Sequence, residues 1–284
     1  MLIRKLLRTA WSYKAQFISM IIMIAIGSGV FLGFNIEWKS IEEDTSTFFE
    51  STNYADFRLY SEIGFTDEDI KAIQSISGVD AATRFLSVNA DIADAKKSLA
   101  LIVSENYTVS TMHISEGSPY DADSDSIWLS DQFAKKNGYH IGDTLTLSYK
   151  GSEISGEIVG LVKSGEMMIC TADENQLMPD FTSFGFAYIT PQKLEAALDD
   201  VFYPQINIIS DMEKAEIEET VKDSLGRTIL VTSKEEHTAY AGAQSEAEEG
   251  KTMGAILPVL FLAIGVLTMV TTMGSPQSSS VPAE

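Results

Sequence analysis

Two uncharged apolar runs bracket the chain and constrain everything between them. Residues 17–34 (FISMIIMIAIGSGVFLGF) hold no ionisable side chain over 18 positions, about the length at which a helix crosses the hydrocarbon of a bilayer. Residues 254–273 are likewise uncharged over 20 positions. The proline there, Pro258, falls in the first turn of that run, where a missing N–H costs little. The 219 residues between the runs are mixed in character and numerous enough to bury a core of their own. The expected frame is transmembrane helices at 17–36 and 254–273 flanking one domain at 37–253.

Charge sets the expected orientation. Arg4, Lys5, Arg8 and Lys14 precede the first run with no acid among them, whereas Glu37, Glu42, Glu43 and Asp44 follow it. The positive-inside rule therefore puts the N-terminus in the cytoplasm and 37–253 outside. Between the runs lie 16 of the 20 Lys and Arg and 40 of the 41 Asp and Glu, a net charge of −24. Such a domain repels nucleic acid and anionic headgroups and stays solvated above a negative bilayer.

Residues 1–16 read as a cytoplasmic amphipathic helix. Leu2, Ile3, Leu6, Leu7, Ala10 and Trp11 recur at helical spacing between the cations, as in a helix lying at the inner leaflet; a cytosolic extension of the first span is the other reading. A cleaved leader competes with an anchor, since Ala25, Ile26 and Gly27 form a small-residue triplet. The apolar run continues through Val30, Phe31, Leu32 and Phe34, which favours the anchor. Ala25, Gly29 and Gly33 repeat every four residues, a stripe suited to close helix packing. Residues 274–284 start Gly-Ser, carry no Lys or Arg, and read as an appended tail, so the natural chain is expected to continue past residue 273.

Within 37–253 the local signals map onto an α+β domain. Residues 54–60 (YADFRLY) alternate like a half-buried strand, Thr66 and Asp69 are spaced as a capping box for a helix over 67–75, and a strand follows over 81–93. Residues 100–104 (ALIVS) read as a further strand. The pattern returns late: a strand over 205–209, Ser210 with Glu213 as a second box, a helix to Leu225 before Gly226, and a strand over 228–232. Two such β-α-β units are expected to pair as helices on one sheet. Between them Ser130 opens a short helix ended by Gly138, strands at 145–149 and 154–162 meet through Lys150-Gly151, and a strand at 184–189 precedes a helix capped by Thr190-Pro191. The domain is thus expected as a discontinuous β-α-β part, 51–110 and 200–235, with a mostly-β insertion at 111–199.

These residues carry a family likeness. Ile114-Ser115-Glu116-Gly117, then Ile127-Trp128-Leu129-Ser130 leading to Phe133-Ala134, then Ile141-Gly142-Asp143-Thr144-Leu145-Thr146-Leu147 and Ile158-Val159-Gly160-Leu161-Val162, with Tyr188-Ile189-Thr190-Pro191 after them, resemble the extracytoplasmic domain of MacB/FtsX/LolC-type ABC transporter permeases. The frame of basic N-terminus, span, large domain and second span is similar too, and the likeness covers residues 1–273. It implies that the β-α-β part built from both ends of the domain is porter-like, and that the chain is a bacterial plasma-membrane subunit and not itself an enzyme. It further implies an ATP-binding cassette partner holding ATP and Mg, a second permease copy or half, and an extracytoplasmic peptide, lipid or protein partner. Permeases of this type have at least four spans per unit; two are present here.

No catalytic, cofactor-binding or metal residue emerges from the sequence. The phosphate-loop pattern G-x-x-x-x-G-K-[ST] is missing, which places ATP chemistry on a partner. Cys170 is the one cysteine, without a neighbouring His, and reads as packing. His113, His140 and His237 lack metal-ligand spacing. Asp121, Asp123 and Asp125 start like a calcium loop, but Ser126 and Gln132 stand where Gly and Glu are required. Asn106-Tyr107-Thr108 is a glycosylation sequon in letters only. Met167, Met168 and the segment Phe181 to Phe186 suit either a docking surface or a core. A membrane-tethered receptor remains the alternative to a permease subunit, and a secreted enzyme or adhesin with a cleaved leader a more distant one.

Overall fold

The computed structural model describes Trp11 and residues 14–274, apart from Asp94, Asn106, Glu174, Asn175, Leu177, Asp199 and Asp200. The expected amphipathic helix and the tail lie almost wholly outside the described residues, and so does Asn106 of the sequon. In chain order the elements are α1 (Lys14–Ser51), β1 (Phe57–Tyr60), α2 (Asp67–Gln74), β2 (Val79–Ile92), β3 (Ser98–Ser104), β4 (His113–Gly117), β5 (Ile127–Ser130) and α3 (Asp131–Asn137). There follow β6 (Thr144–Tyr149), β7 (Ser152–Lys163), β8 (Phe184–Ile189), α4 (Pro191–Ala197), β9 (Gln205–Ser210), α5 (Lys214–Leu225), β10 (Leu230–Ser233) and α6 (Thr238–Gly274).

The described residues form two compact units, one from the helical segments up to Thr45 and from Ala243 onward, the other Ser46–Gly242. In the first, α1 and α6 are each long and apolar enough to cross a membrane. Both outrun the expected spans: α1 does not stop at residue 36 and α6 starts at Thr238 rather than 254. The added residues, 37–51 and the Ala- and Glu-rich 238–253, contain no proline, so nothing interrupts the hydrogen-bond ladder. Small residues let the two helices approach. A Cβ on Gly27 would lie 3.3 Å from Phe261, one on Gly250 3.0 Å from Trp38, and one on Gly254 3.1 Å from Phe34. Gly29 and Gly33, from the stripe noted in the sequence, have nothing within 4 Å and take no part in this packing. Ile21, Ile36, Leu262 and Leu267 are exposed, as apolar side chains facing lipid are. Beyond the first apolar run, Lys39 and Lys251 each lie 5.6 Å from the Trp38 ring, the tryptophan-and-cation pairing of an interfacial belt.

The second unit holds two cores joined by one strand. Strand order β10-β1-β9-β2, antiparallel throughout, interleaves the two β-α-β units. Here α2 and α5 pack together over one face, burying Phe57, Leu59, Ile70, Ile73, Ile206, Ile208, Ile217 and Val221. Thr66 caps α2 with the expected reciprocal box to Asp69. The box expected at Ser210 does not form: Glu213 is the N-cap of α5 without a side-chain bond, and Ser210 Oγ instead donates to Gly78 O at 2.6 Å, tying β9 to the start of β2. The early half of β2, up to Phe85, pairs with β9, and the later half pairs with β3.

From there β2-β3-β8-β5-β7-β6 closes into a ring, β6 pairing with both β7 and the end of β2. Its interior gathers Leu86, Ala90, Ile92, Leu99, Leu101 and Val103 with Leu129, Leu145, Leu147 and Ile158. The alternate residues of β3, Ala100 and Ile102, pack on the outer face with Trp128, Phe184 and Phe186. Because β3 is buried on both faces its sequence is apolar without alternation. The second core therefore begins inside β2 near Phe85, not at residue 111 as the sequence suggested, because closing the ring takes strands from what was read as the porter-like half. β4 and β5, quoted above only for likeness, are strands of the same sheet.

Candidate functional site

The polar centre of the second unit lies where its own helical ends, residues 46–51 and 238–242, meet the sheet. α1 ends at Ser51, and Asn53 turns the chain with φ 46°, a left-handed conformation asparagine tolerates. Tyr54 N–H donates back to Phe49 O at 3.0 Å. In β1, Phe57 and Leu59 enter the helix-covered core, so strand alternation sends Arg58 to the opposite face. Its side chain is fully buried, and a guanidinium withdrawn from water must be paired.

Glu166, on the loop after β7, supplies the pairing. Arg58 Nη2 donates to Oε1 at 2.7 Å and Nε to Oε2 at 3.2 Å, a bidentate fork. The Glu166 side chain is 3% exposed. Its Oε1 also accepts from Ser110 Oγ at 2.5 Å and Asn207 Nδ2 at 3.5 Å. Ser110 Oγ accepts in turn from Ala55 N–H at 3.1 Å, and Ser110 N–H donates to Asn53 O at 2.7 Å. Holding Ser110 there requires φ 50°, an uncommon conformation for serine. Gly165 lets the loop come close: a Cβ on it would lie 2.8 Å from the Tyr54 ring.

His237, immediately before α6, completes the cluster. Its Nδ1 lies 2.5 Å from Tyr54 Oη and its Nε2 3.6 Å from Glu166 Oε2. Tyr54 in turn stacks under the Arg58 guanidinium at 4.5 Å. Beside it Lys234 Nζ donates to Asp56 Oδ1 at 2.8 Å. One carboxylate thus ties together β1, the residues leading to β4, β9 and the start of α6. Burial alone would raise the Glu166 pKa, but the Arg58 charge and hydrogen bonds outweigh it and hold the carboxyl below the usual glutamate range. Burial, and then the Arg58 charge, push the His237 pKa down against the pull of Glu166. Arg58 and Glu166 are paired with one another and with the neighbouring side chains, so the cluster clamps these elements together.

The model of the MacB-like periplasmic core domain family matches residues 17–203. The chain belongs to this family, and with it to the MacB/FtsX-type ABC transporter permeases. Among solved structures, the extracellular domain of the noncanonic ABC-type transporter YknZ from Gram-positive bacteria has a TM-score of 0.44 at 13% identity, covering 63% of this chain and 99% of that one. The periplasmic region of MacB from Actinobacillus actinomycetemcomitans scores 0.43 at 12% identity, covering 68% and 92%. A permease-protein domain from Porphyromonas gingivalis scores 0.40 at 14% identity, covering 63% and 90%. No curated protein matches the sequence.

In this MacB-like domain the residues singled out from the sequence are scattered. His113 lies exposed on β4, and the His140 side chain is 81% exposed beside Asp143; of the histidines, only His237 enters the clamp. Cys170 is buried, and burial pushes its thiol up to about 12. Asp121, Asp123 and Asp125 are exposed, with Asp123 N–H donating to Asp121 Oδ1 in a local turn. Among the described residues no group of three His, Cys, Asp or Glu is placed to hold a metal ion. Phe184 and Phe186 are core, while Phe181, Met167 and Met168 are half-buried. The clamp residues Tyr54, Arg58, Ser110 and Glu166 carried no sequence signal as a group.

Proposed function

We propose that this chain is the membrane subunit of an ABC transporter of the MacB/FtsX type and transmits motion. An ATP-binding cassette partner in the cytoplasm, holding ATP and Mg, closes and shifts the spans as rods, and the extracytoplasmic domain is re-aimed by them. A second permease copy or half completes the assembly. The cargo is a peptide, lipid or cell-envelope protein handled at the outer face, with the N-terminus cytoplasmic as Arg4, Lys5, Arg8 and Lys14 favour.

The observation that carries this reading is the absence of a break between helix and clamp. α1 is one continuous helix to Ser51, three residues from Tyr54, and α6 starts at Thr238, directly after His237. The chain thus passes from each helix end to a clamp residue within three positions. The spans carry no ionisable residue, which speaks for mechanical work rather than an ion path through them.

The test is co-purification from detergent with and without the expected ATP-binding subunit, followed by ATPase assay with and without residues 37–253. A stable complex whose turnover depends on the outer domain is expected. Lack of any ATPase partner would overturn the reading in favour of a tethered receptor.

A further inference from the structure

His237 occupies a position that a second ring proton would disturb. With its one ring proton on Nε2, the side that faces Glu166 at 3.6 Å, Nδ1 accepts from Tyr54 Oη at 2.5 Å. The charged and titratable groups around it are Tyr54 and Arg58 from β1 and its lead-in, Glu166 from the loop after β7, and Lys234, Glu235, Glu236 and Tyr240 from its own segment, with Asp56 bound to Lys234. Glu236 pairs with Lys214 and Asp56 with Lys234; the acid against the ring is Glu166, and Arg58 already claims both of its oxygens. Protonation at Nδ1 removes the acceptor for Tyr54 Oη, sets its N–H donor against the Tyr54 O–H donor unless the hydroxyl turns, and adds a cation within the Arg58 field. The ring is 22% exposed, so protons from the extracytoplasmic medium reach it.

We propose that His237 is a proton-operated latch: gain of the second ring proton releases the first turn of α6 from Tyr54 and the Arg58–Glu166 pair, so external acidity loosens this end of the clamp. The proposal holds whether or not an ATPase drives the helices, and its test uses the permease chain alone. The sign follows from proton counting. The latched ring binds fewer protons than the released one, so release is favoured as pH falls through the ordinary imidazole range and levels off once the latched ring itself titrates.

Hydrogen exchange of the full chain in nanodiscs, corrected for the intrinsic pH dependence of exchange, reads this directly on residues 234–242. Between pH 7.5 and 5, protection there is expected to fall, reversibly, toward about 30-fold, because a released imidazole titrates near 6.5. His237→Gln keeps a side-chain hydrogen-bonding group but cannot titrate, and its protection is expected to be flat with pH. His140→Gln, at an exposed site, should behave as wild type. Should His237→Gln fail to fold, the NMR titration of the three histidine rings in the wild-type chain replaces it: His237 must titrate together with the loss of protection. Unchanged protection at 234–242 across this range, or an equal loss in His237→Gln, would overturn the latch and leave the transport reading untouched.

Discussion

Replacing Glu166 by Ala should be among the most damaging single changes in the outer domain. The substitution leaves the Arg58 guanidinium, whose side chain is fully buried, without a counter-charge, and strips Ser110 Oγ and Asn207 Nδ2 of their acceptor. Removing one partner of a buried pair costs about 3–5 kcal/mol, to which an orphaned hydroxyl adds less than its full penalty because the losses overlap. For a unit the size of Ser46–Gly242, about 2–4 °C of melting temperature accompanies each kcal/mol. A fall of roughly 6–20 °C is therefore expected in the thermal unfolding of the purified chain in detergent. The diagnostic comparison is the pair Arg58→Met with Glu166→Leu. A buried ion pair replaced by apolar side chains of similar volume is often neutral, so the double variant should recover at least half of the loss. A shift under about 2 °C for the single variant, or a double variant as unstable as the single one, would refute the view that a desolvated charge governs this junction.

The same carboxylate predicts an acid limb. With its pKa held down by Arg58, Glu166 stabilises the domain at neutral pH and loses that contribution as pH falls through its folded value, so melting temperature against pH should flatten at the acid end in Glu166→Gln. Gly165→Ala must push a Cβ into the Tyr54 ring at 2.8 Å and should cost about 1–3 kcal/mol by the same melting assay. Lys193 Nζ donates to Asp125 O and Ser155 O, both at 2.6 Å, so Lys193→Ala should cost about 1–3 kcal/mol through two carbonyls left unpartnered. Asp123→Cys sits in an exposed turn against a buried native thiol at Cys170; a membrane-impermeant maleimide should label it in intact cells, and labelling only after lysis would reverse the proposed orientation.

Much of the architecture was written in short-range signals. The apolar runs, the Thr66–Asp69 box, the Ser130 and Thr190-Pro191 caps and the Lys150-Gly151 turn each depend on residues within a few positions of one another, where periodicity and local hydrogen bonds are decided. The family frame was legible for the same reason, being a matter of motif order and spacing along the chain.

Contacts distant in the chain decided the rest. Ser210 looked like a helix cap, but the helix starts after Glu213, and the Ser210 hydroxyl accepts from Met212 N–H and donates to Gly78 O, 132 positions away. β2 looked like one strand of one unit, yet its later half pairs with β3 and closes the ring through β6. Arg58 follows β1 alternation as any outward-facing residue would; only the fold brings Glu166, 108 positions away, to bury it. A sequence determines what a residue does with its neighbours in the chain. Whether a charge can be withdrawn from water depends on a partner that only tertiary packing delivers, and that is why the clamp appears in the fold and not in the string of residues.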